Sequence, residues 1–329
     1  MIHTKTVRLH RALRGVLPKK LRIRVGASWR DLQRKKGKLL SGSAEVLATS
    51  LRKSLNANGY GLNLEGEDEF EILLLCTSND FFILEENLRH IQKRVSKKCQ
   101  RISIIVNKNA KILIHRINLN KWENIVVIDE TRYEKEVLQL QKSIDQFNPM
   151  RQNWILQQCL KTLFVEESDL PVLIIDSDTF VNSDINFIGQ NVQLLYAGND
   201  FHFPYSRHIN KFLKVDAIGL SFVHHVQLQQ PHIVREIYGS NVVIGLRRWL
   251  QSGLAQSEPS PISEFQTYGD YILRNYPESV KIFFHNHHFQ DAAYFKSNFM
   301  LSIELALAPH LQNYDCHLIT LSNKHLLNN

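Results

Sequence analysis

Two carboxylates separated by one residue, Asp176 and Asp178, follow directly on the apolar run PVLII in LPVLIIDSDTFVNSD. A buried strand delivering Asp-Ser-Asp at its carboxyl end places both acids where open α/β sheets bind ligands. Two such acids repel each other unless a cation sits between them, and Mg²⁺ or Mn²⁺ satisfies both while bridging a diphosphate. No adjacent basic residue in the segment offers a structural partner for two acids. The spacing therefore asks for a hard divalent cation, although an Asp pair can also simply cap the following loop. A strand running into DxD is in addition the opening motif of haloacid-dehalogenase-type phosphatases, whose first Asp is a nucleophile. There a Thr or Val belongs two residues beyond the second Asp, and position 180 is Phe.

Other residues could serve the same edge. The chain around Trp154, Gln157, Gln158 and Lys161 reads as a helix just ahead of the DSD strand. Spacings of three and four put an amide on one face with Lys161, able to meet donor sugar or phosphate. His224 and His225 end the apolar piece AIGLSFVHH, where strand alternation sends the imidazoles to opposite sides, so only one can face the site. His225 is the one assigned to it. Ser263 is an evident N-cap for a helix that begins at Glu264. Glu264 is either a dipole-favourable acid or a general base, and Tyr268 and Asp270 follow within two turns as further sugar contacts or, for Asp270, an alternative base. Asp129 closes another strand, where it suits a ribose hydroxyl or a loop cap equally.

The elements that must position these groups are strands alternating with helices. EILLLCTS, RISIIVN, NIVVIDE and PVLIIDSD are strand signals, with helical signals at NDFFILEENLRHIQKRV and WILQQCLKTLFVEE between them. Their lack of polar alternation predicts central parallel strands covered on both faces. Later segments continue in mixed α/β style, with helices near IVREIYG and EFQTYGDYILRNY and a strand at VKIFFHN.

Charge divides the 329 residues unevenly: residues 1 to 53 hold fifteen Lys or Arg against only Asp31 and Glu45, so the rest of a chain of net charge +8 is acidic. We expect a basic extension over residues 1–68, with a short helix from Ser43 to Leu55 and a turn-rich linker, and one domain over residues 69–329. Residues 1–40 suit an anionic membrane surface. Nucleic acid is not expected as a partner, because Trp29 is the single aromatic residue there for stacking. Four well-separated cysteines, with no CxxC pair, fit a reducing, cytoplasmic setting, peripheral at the inner membrane face if the extension meets lipid. No apolar run approaches the length of a membrane span.

Taken together, NWILQQCLKTLFVEE, VLIIDSDTFV, SFVHHVQL and SEFQTYGDYIL resemble a bacterial family associated with capsular and surface polysaccharide synthesis. That family has a GT-A-like nucleotide-diphospho-sugar transferase fold and is usually described only as a domain of unknown function. The match covers roughly residues 70 to 290, and its most specific pieces are the Trp-x-x-Gln-Gln-x-x-Lys helix and Ser263 to Gly269. The resemblance implies a GT-A-like doubly wound, mixed and mainly parallel sheet with helices on both faces. It also implies a nucleotide-sugar donor, a glycan or lipid-linked acceptor, and Mn²⁺ or Mg²⁺ held by Asp176 and Asp178. Thr77 and Ser78, in the segment from Cys76 to Asp80, then face the nucleotide, with Ser177 also on the donor side. By analogy with GT-A enzymes that use one late histidine in the cation shell, His285 completes it, among His285, His287 and His288 of FFHNHHFQD. A catalytically idle module binding sugar or nucleotide-sugar remains a third reading.

Overall fold

The computed structural model describes residues 69–78, 80–95, 99–114, 117, 122, 124–181, 187–189, 192–197, 202–215, 217–218, 220–254, 260–284, 287–291 and 318–322. The basic extension, its expected helix at Ser43–Leu55, the linker and His285 lie outside these residues.

A five-stranded sheet forms the centre, built from β1 (Phe70–Cys76), β2 (Cys99–Val106), β3 (Ile125–Asp129), β4 (Val172–Asp176) and β8 (Val226–Gln229) in the order β3-β2-β1-β4-β8. The first four run parallel, with Leu75 beside Asp176, and β8 closes the edge antiparallel, with Ile175 opposite Val226. Between them in the chain lie β5 (Thr179–Val181), β6 (Ile188–Gly189) and β7 (Val192–Ala197), followed after β8 by β9 (Val280–Phe284), β10 (His287–Asp291) and β11 (Leu318–Ser322). These make two three-stranded sheets, β10-β11-β5 and β6-β7-β9.

The apolar runs of β1 and β4 are buried on both faces because each face has its own helices. Leu73, Leu75, Val172 and Ile174 pack with α3 (Glu134–Ile144), α4 (Pro149–Glu167), α6 (Pro231–Tyr238), α7 (Val242–Leu254) and α8 (Glu264–Asn275). Ile72, Leu74, Leu173 and Ile175 pack with α1 (Phe81–Arg94) and α2 (Lys108–Ile114) on the other side. Each fully buried aliphatic side chain contributes about 1.5–3 kcal/mol, so the strands are held from both directions. A further helix, α5 (Phe203–Phe212), packs with α7 and α8. The expected doubly wound, mixed and mainly parallel sheet is therefore what the chain forms.

Two readings need correction. The IVVI run is not a central strand: β3 is an edge, and Val126 and Val127 remain exposed at 41% and 36%. AIGLSFVHH is not a strand ending at the histidines either, since β8 begins only at Val226, after them. Among the described residues no helix is long and apolar enough to cross a membrane.

Candidate cation site at the end of the fourth strand

In β4, side chains alternate between the two cores: Leu173 and Ile175 face α1, while Val172 and Ile174 face α4 and α8. Two residues on from Ile174, Asp176 leaves the sheet on the α4 side by the same alternation. Here α4 supplies Lys161. It starts cleanly, with Pro149 in its first turn and the Asn148 side chain accepting from the Met150 amide, and it buries Gln158 and Lys161 on the inward face. Lys161 Nζ donates to Asp176 Oδ1 at 2.6 Å and to Glu264 Oε1 at 2.8 Å, above the Phe265 ring at 4.6 Å. The expectation that DSD has no basic partner is thus corrected. The partner comes from a helix fifteen residues earlier, which the local sequence around the motif does not reveal.

His225 takes the other oxygen. Its backbone lies in the left-handed region at φ 59°, a conformation His tolerates better than most residues. In that turn its carbonyl accepts from the Asp176 amide at 2.9 Å, while Nδ1 comes within 2.7 Å of Asp176 Oδ2. His224 is buried beside Tyr196, ring centroids 6.3 Å apart. One imidazole does face the site, as expected, but a left-handed turn separates the pair rather than strand alternation.

One ligand atom each from Asp176, Asp178 and His225 lie within 4.8 Å of one another. Around them the charge is unbalanced. Burial first, and then Asp176, push the Asp178 carboxyl up to about 7; His225 pulls the other way, and Asp80 and Lys161 add smaller opposing effects. Burial also acts to raise Asp176, but Lys161 and the His225 hydrogen bond outweigh it and hold that carboxyl below the usual carboxylate range. Lys161 is held above its ordinary range, since its two carboxylate partners overcome the opposing effect of burial. Two carboxylates and an imidazole, with Asp178 in no salt bridge among the described residues, form a donor set that fits Mn²⁺ or Mg²⁺.

The turn is braced from α1 and β1. Asn87 Nδ2 donates to the Ser177 carbonyl at 2.9 Å, and Asp80 accepts from Thr77 Oγ1 at 2.6 Å and from the Ser177 side chain. Asp80 enters the sequence reading only as the end of the Cys76 to Asp80 segment that the resemblance turns towards the nucleotide. Burial raises its carboxyl first, and Asp176 adds to the effect, so it faces the same pair of acids. It lies beyond the carboxyl end of β1, the strand that pairs with β4 and sets Leu75 beside Asp176. Thr77 and Ser177 are thereby engaged with Asp80, and Ser78 is exposed at the same edge.

The remaining expected site residues divide. Gln158 is buried, with Oε1 accepting from the Glu264 amide at 3.1 Å, whereas Gln157 is half-buried one position earlier on α4. Glu264 does start α8 after the Ser263 cap, whose hydroxyl accepts from the Gln266 amide, but its carboxylate is buried against Lys161. Asp270 lies deeper: its oxygens accept from the Ile218 amide at 2.8 Å and Gln266 Nε2 at 2.5 Å, and burial pushes its carboxyl up to about 6. The Tyr268 hydroxyl is buried between the Gln230 amide and Gln193. Asp129 caps the short turn at Thr131 and pairs with Lys111 at 2.5 Å, with β2 and β1 lying between its strand and β4. Asp176, Asp178, Ser177, His225, Lys161, Gln158 and Glu264 are brought together; Asp270, Tyr268 and Asp129 are not.

Among the solved structures similar to this chain are the following two. Mouse xyloside xylosyltransferase 1, in its apo form, is 9% identical, covers 78% of this chain and 98% of its own, and superposes with a TM-score of 0.41. The galactosyltransferase LgtC, in complex with donor and acceptor sugar analogues, is 13% identical, covers 77% of this chain and 87% of its own, with a TM-score of 0.38. No protein-family model and no curated protein matches the sequence.

Proposed function

We propose that this chain is a metal-dependent glycosyltransferase that moves a sugar from a nucleotide-diphosphate donor to a glycan or lipid-linked acceptor. The observation that carries the reading is the cluster of Asp176, Asp178 and His225 at the carboxyl edge of a central parallel strand, where Asp178 forms no salt bridge among the described residues. Asp176, Asp178 and His225 would hold Mn²⁺ or Mg²⁺. When bound, that cation supplies positive charge against the departing diphosphate, the chief electrostatic demand of the transfer.

The chain's own residues orient this site. Lys161 and His225 each hold one oxygen of Asp176, so the carboxylate cannot rotate away, and Asn87 fixes the Ser177 peptide between the two acids. The donor's nucleoside is assigned to the side of Thr77, Ser78 and Asp80, next to DSD along β1. The acceptor is assigned to the opposite side of the cluster, where α8 begins.

The direct test is turnover. With Mn²⁺ present, a panel of uridine and guanosine diphosphate sugars offered with glycan and polyprenyl-phosphate-linked acceptors should release nucleoside diphosphate for one donor. Asp176→Asn and Asp178→Asn should lower that release at least a hundredfold. Binding of donors without any release under all acceptors would instead establish the idle binding module.

A further inference from the structure

Lys161 is an ammonium with two carboxylate partners drawn from different elements, Asp176 at the end of β4 and Glu264 at the start of α8. The Lys161 and Glu264 side chains are only 8% and 5% exposed, against 23% for Asp176. The charged row thus runs from the cation cluster into the interior and ends on Glu264. Water screens the inner pair poorly, so a change of charge there acts on Asp176 more strongly than a surface charge would. Glu264 is fixed in turn, because the Gln158 side chain accepts from its amide and the Lys161 ammonium holds its carboxylate.

We infer that the Lys161–Glu264 pair sets the charge, and through it the affinity, of the Asp176–Asp178–His225 cation site, with Glu264 a positioning residue acting through Lys161 rather than the base for the acceptor. Lys161 competes with the cation for Asp176. Glu264 offsets that competition by drawing the ammonium inward and cancelling its charge. The inference rests on the cation site proposed above.

A charge-setting pair has a signature that a merely structural pair lacks: its two members act in opposite directions. Glu264→Gln keeps the shape and an oxygen acceptor for Lys161 but leaves the ammonium uncompensated beside Asp176. Lys161→Met keeps the length of the side chain and its contact with Phe265 but removes the competitor. Calorimetric titration with Mn²⁺ alone should show Glu264→Gln weakened on the order of tenfold, Lys161→Met tightened severalfold, and the double variant back within about threefold of the parent.

Weakening in both single variants, or no change in either, overturns the inference and leaves the pair a fold-holding bridge. If one single variant does not fold, the remaining single and the double still decide, because the sign of the single and its reversal in the double are both required. Absence of Mn²⁺ binding by the parent protein contradicts the cation site itself, and the inference falls with it. Binding by the parent with unmoved variants contradicts the inference alone.

Discussion

His225 and Asp176 are joined twice, the Asp176 amide donating to the His225 carbonyl at 2.9 Å and His225 Nδ1 lying 2.7 Å from Asp176 Oδ2. The backbone bond continues the antiparallel pairing of β4 and β8 by one residue. The left-handed turn at His225 then folds its imidazole back over the strand it has just paired with. Sheet register and ligand geometry are therefore set by the same residue.

Replacing His225 separates those two roles. His225→Asn retains a side chain that tolerates positive φ, so the melting temperature should change by only a few degrees, while Mn²⁺ affinity falls at least tenfold. His225→Val should lose that affinity and destabilise the fold as well, since a β-branched residue is strained at φ 59°. Thermal melts beside Mn²⁺ titrations check both.

Asp178 should be costly to the metal-free protein above neutral pH. Its carboxyl titrates near 7, well above an unfolded carboxylate, so the folded state holds the extra proton between about pH 4 and 7. Stability from that protonated form is complete below about pH 4 and is lost as pH rises through 7. Asp178→Asn should therefore raise the metal-free melting temperature at pH 8 by several degrees, equivalent to roughly 1–3 kcal/mol, and leave it nearly unchanged at pH 4. The same variant should abolish the stabilisation that Mn²⁺ gives the parent protein.

Cation affinity should follow the same group in the opposite sense. A proton on Asp178 competes with Mn²⁺, so affinity should rise up to tenfold per pH unit between pH 5 and about 7 and level off above it. Titrations at four pH values across that range would show the plateau; a flat profile would mean that Asp178 is not a ligand.

Gly269 lies in α8 against the residues that lead into the His225 turn. A methyl group there would stand 2.3 Å from Phe222 Cγ and 2.5 Å from its Cβ, too close to the root of that side chain to be relieved by rotation. Gly269→Ala should cost about 1–3 kcal/mol in denaturant unfolding and, by shifting 222–225, weaken Mn²⁺ binding.

Much of the frame was legible because its signals are local. The unbroken apolar runs of β1, β2 and β4 mark strands buried on both sides, and Ser263 before Glu264 marks the start of α8. What the sequence did not yield depends on relations between distant segments. Lys161 was singled out for a ligand, yet its partners are Asp176 and Glu264, a pairing fixed only once α4 and α8 lie on the same face of β4. The IVVI run looks like a central strand but is exposed at an edge, because composition records apolarity and not which neighbours arrive. His285, the expected third ligand, lies outside the described residues; among those described, His225 comes within 4.8 Å of Asp176 and Asp178, through a turn that alternation does not foresee. Asp80 has no signal of its own beyond its place in the Cys76 to Asp80 segment, because its closeness to the acids depends on β1 lying beside β4.

If Asp176, Asp178 and His225 hold a divalent cation against the donor's diphosphate, nucleotide binding must depend on that cation. Isothermal titration of uridine and guanosine diphosphates into the full chain, in Mn²⁺ and again in excess chelator, tests it most directly. One nucleotide should bind in Mn²⁺ and be weakened at least thirtyfold by chelator, with Asp178→Asn in Mn²⁺ reproducing the loss. Equal affinity in both buffers, or an unimpaired Asp178→Asn, would contradict it.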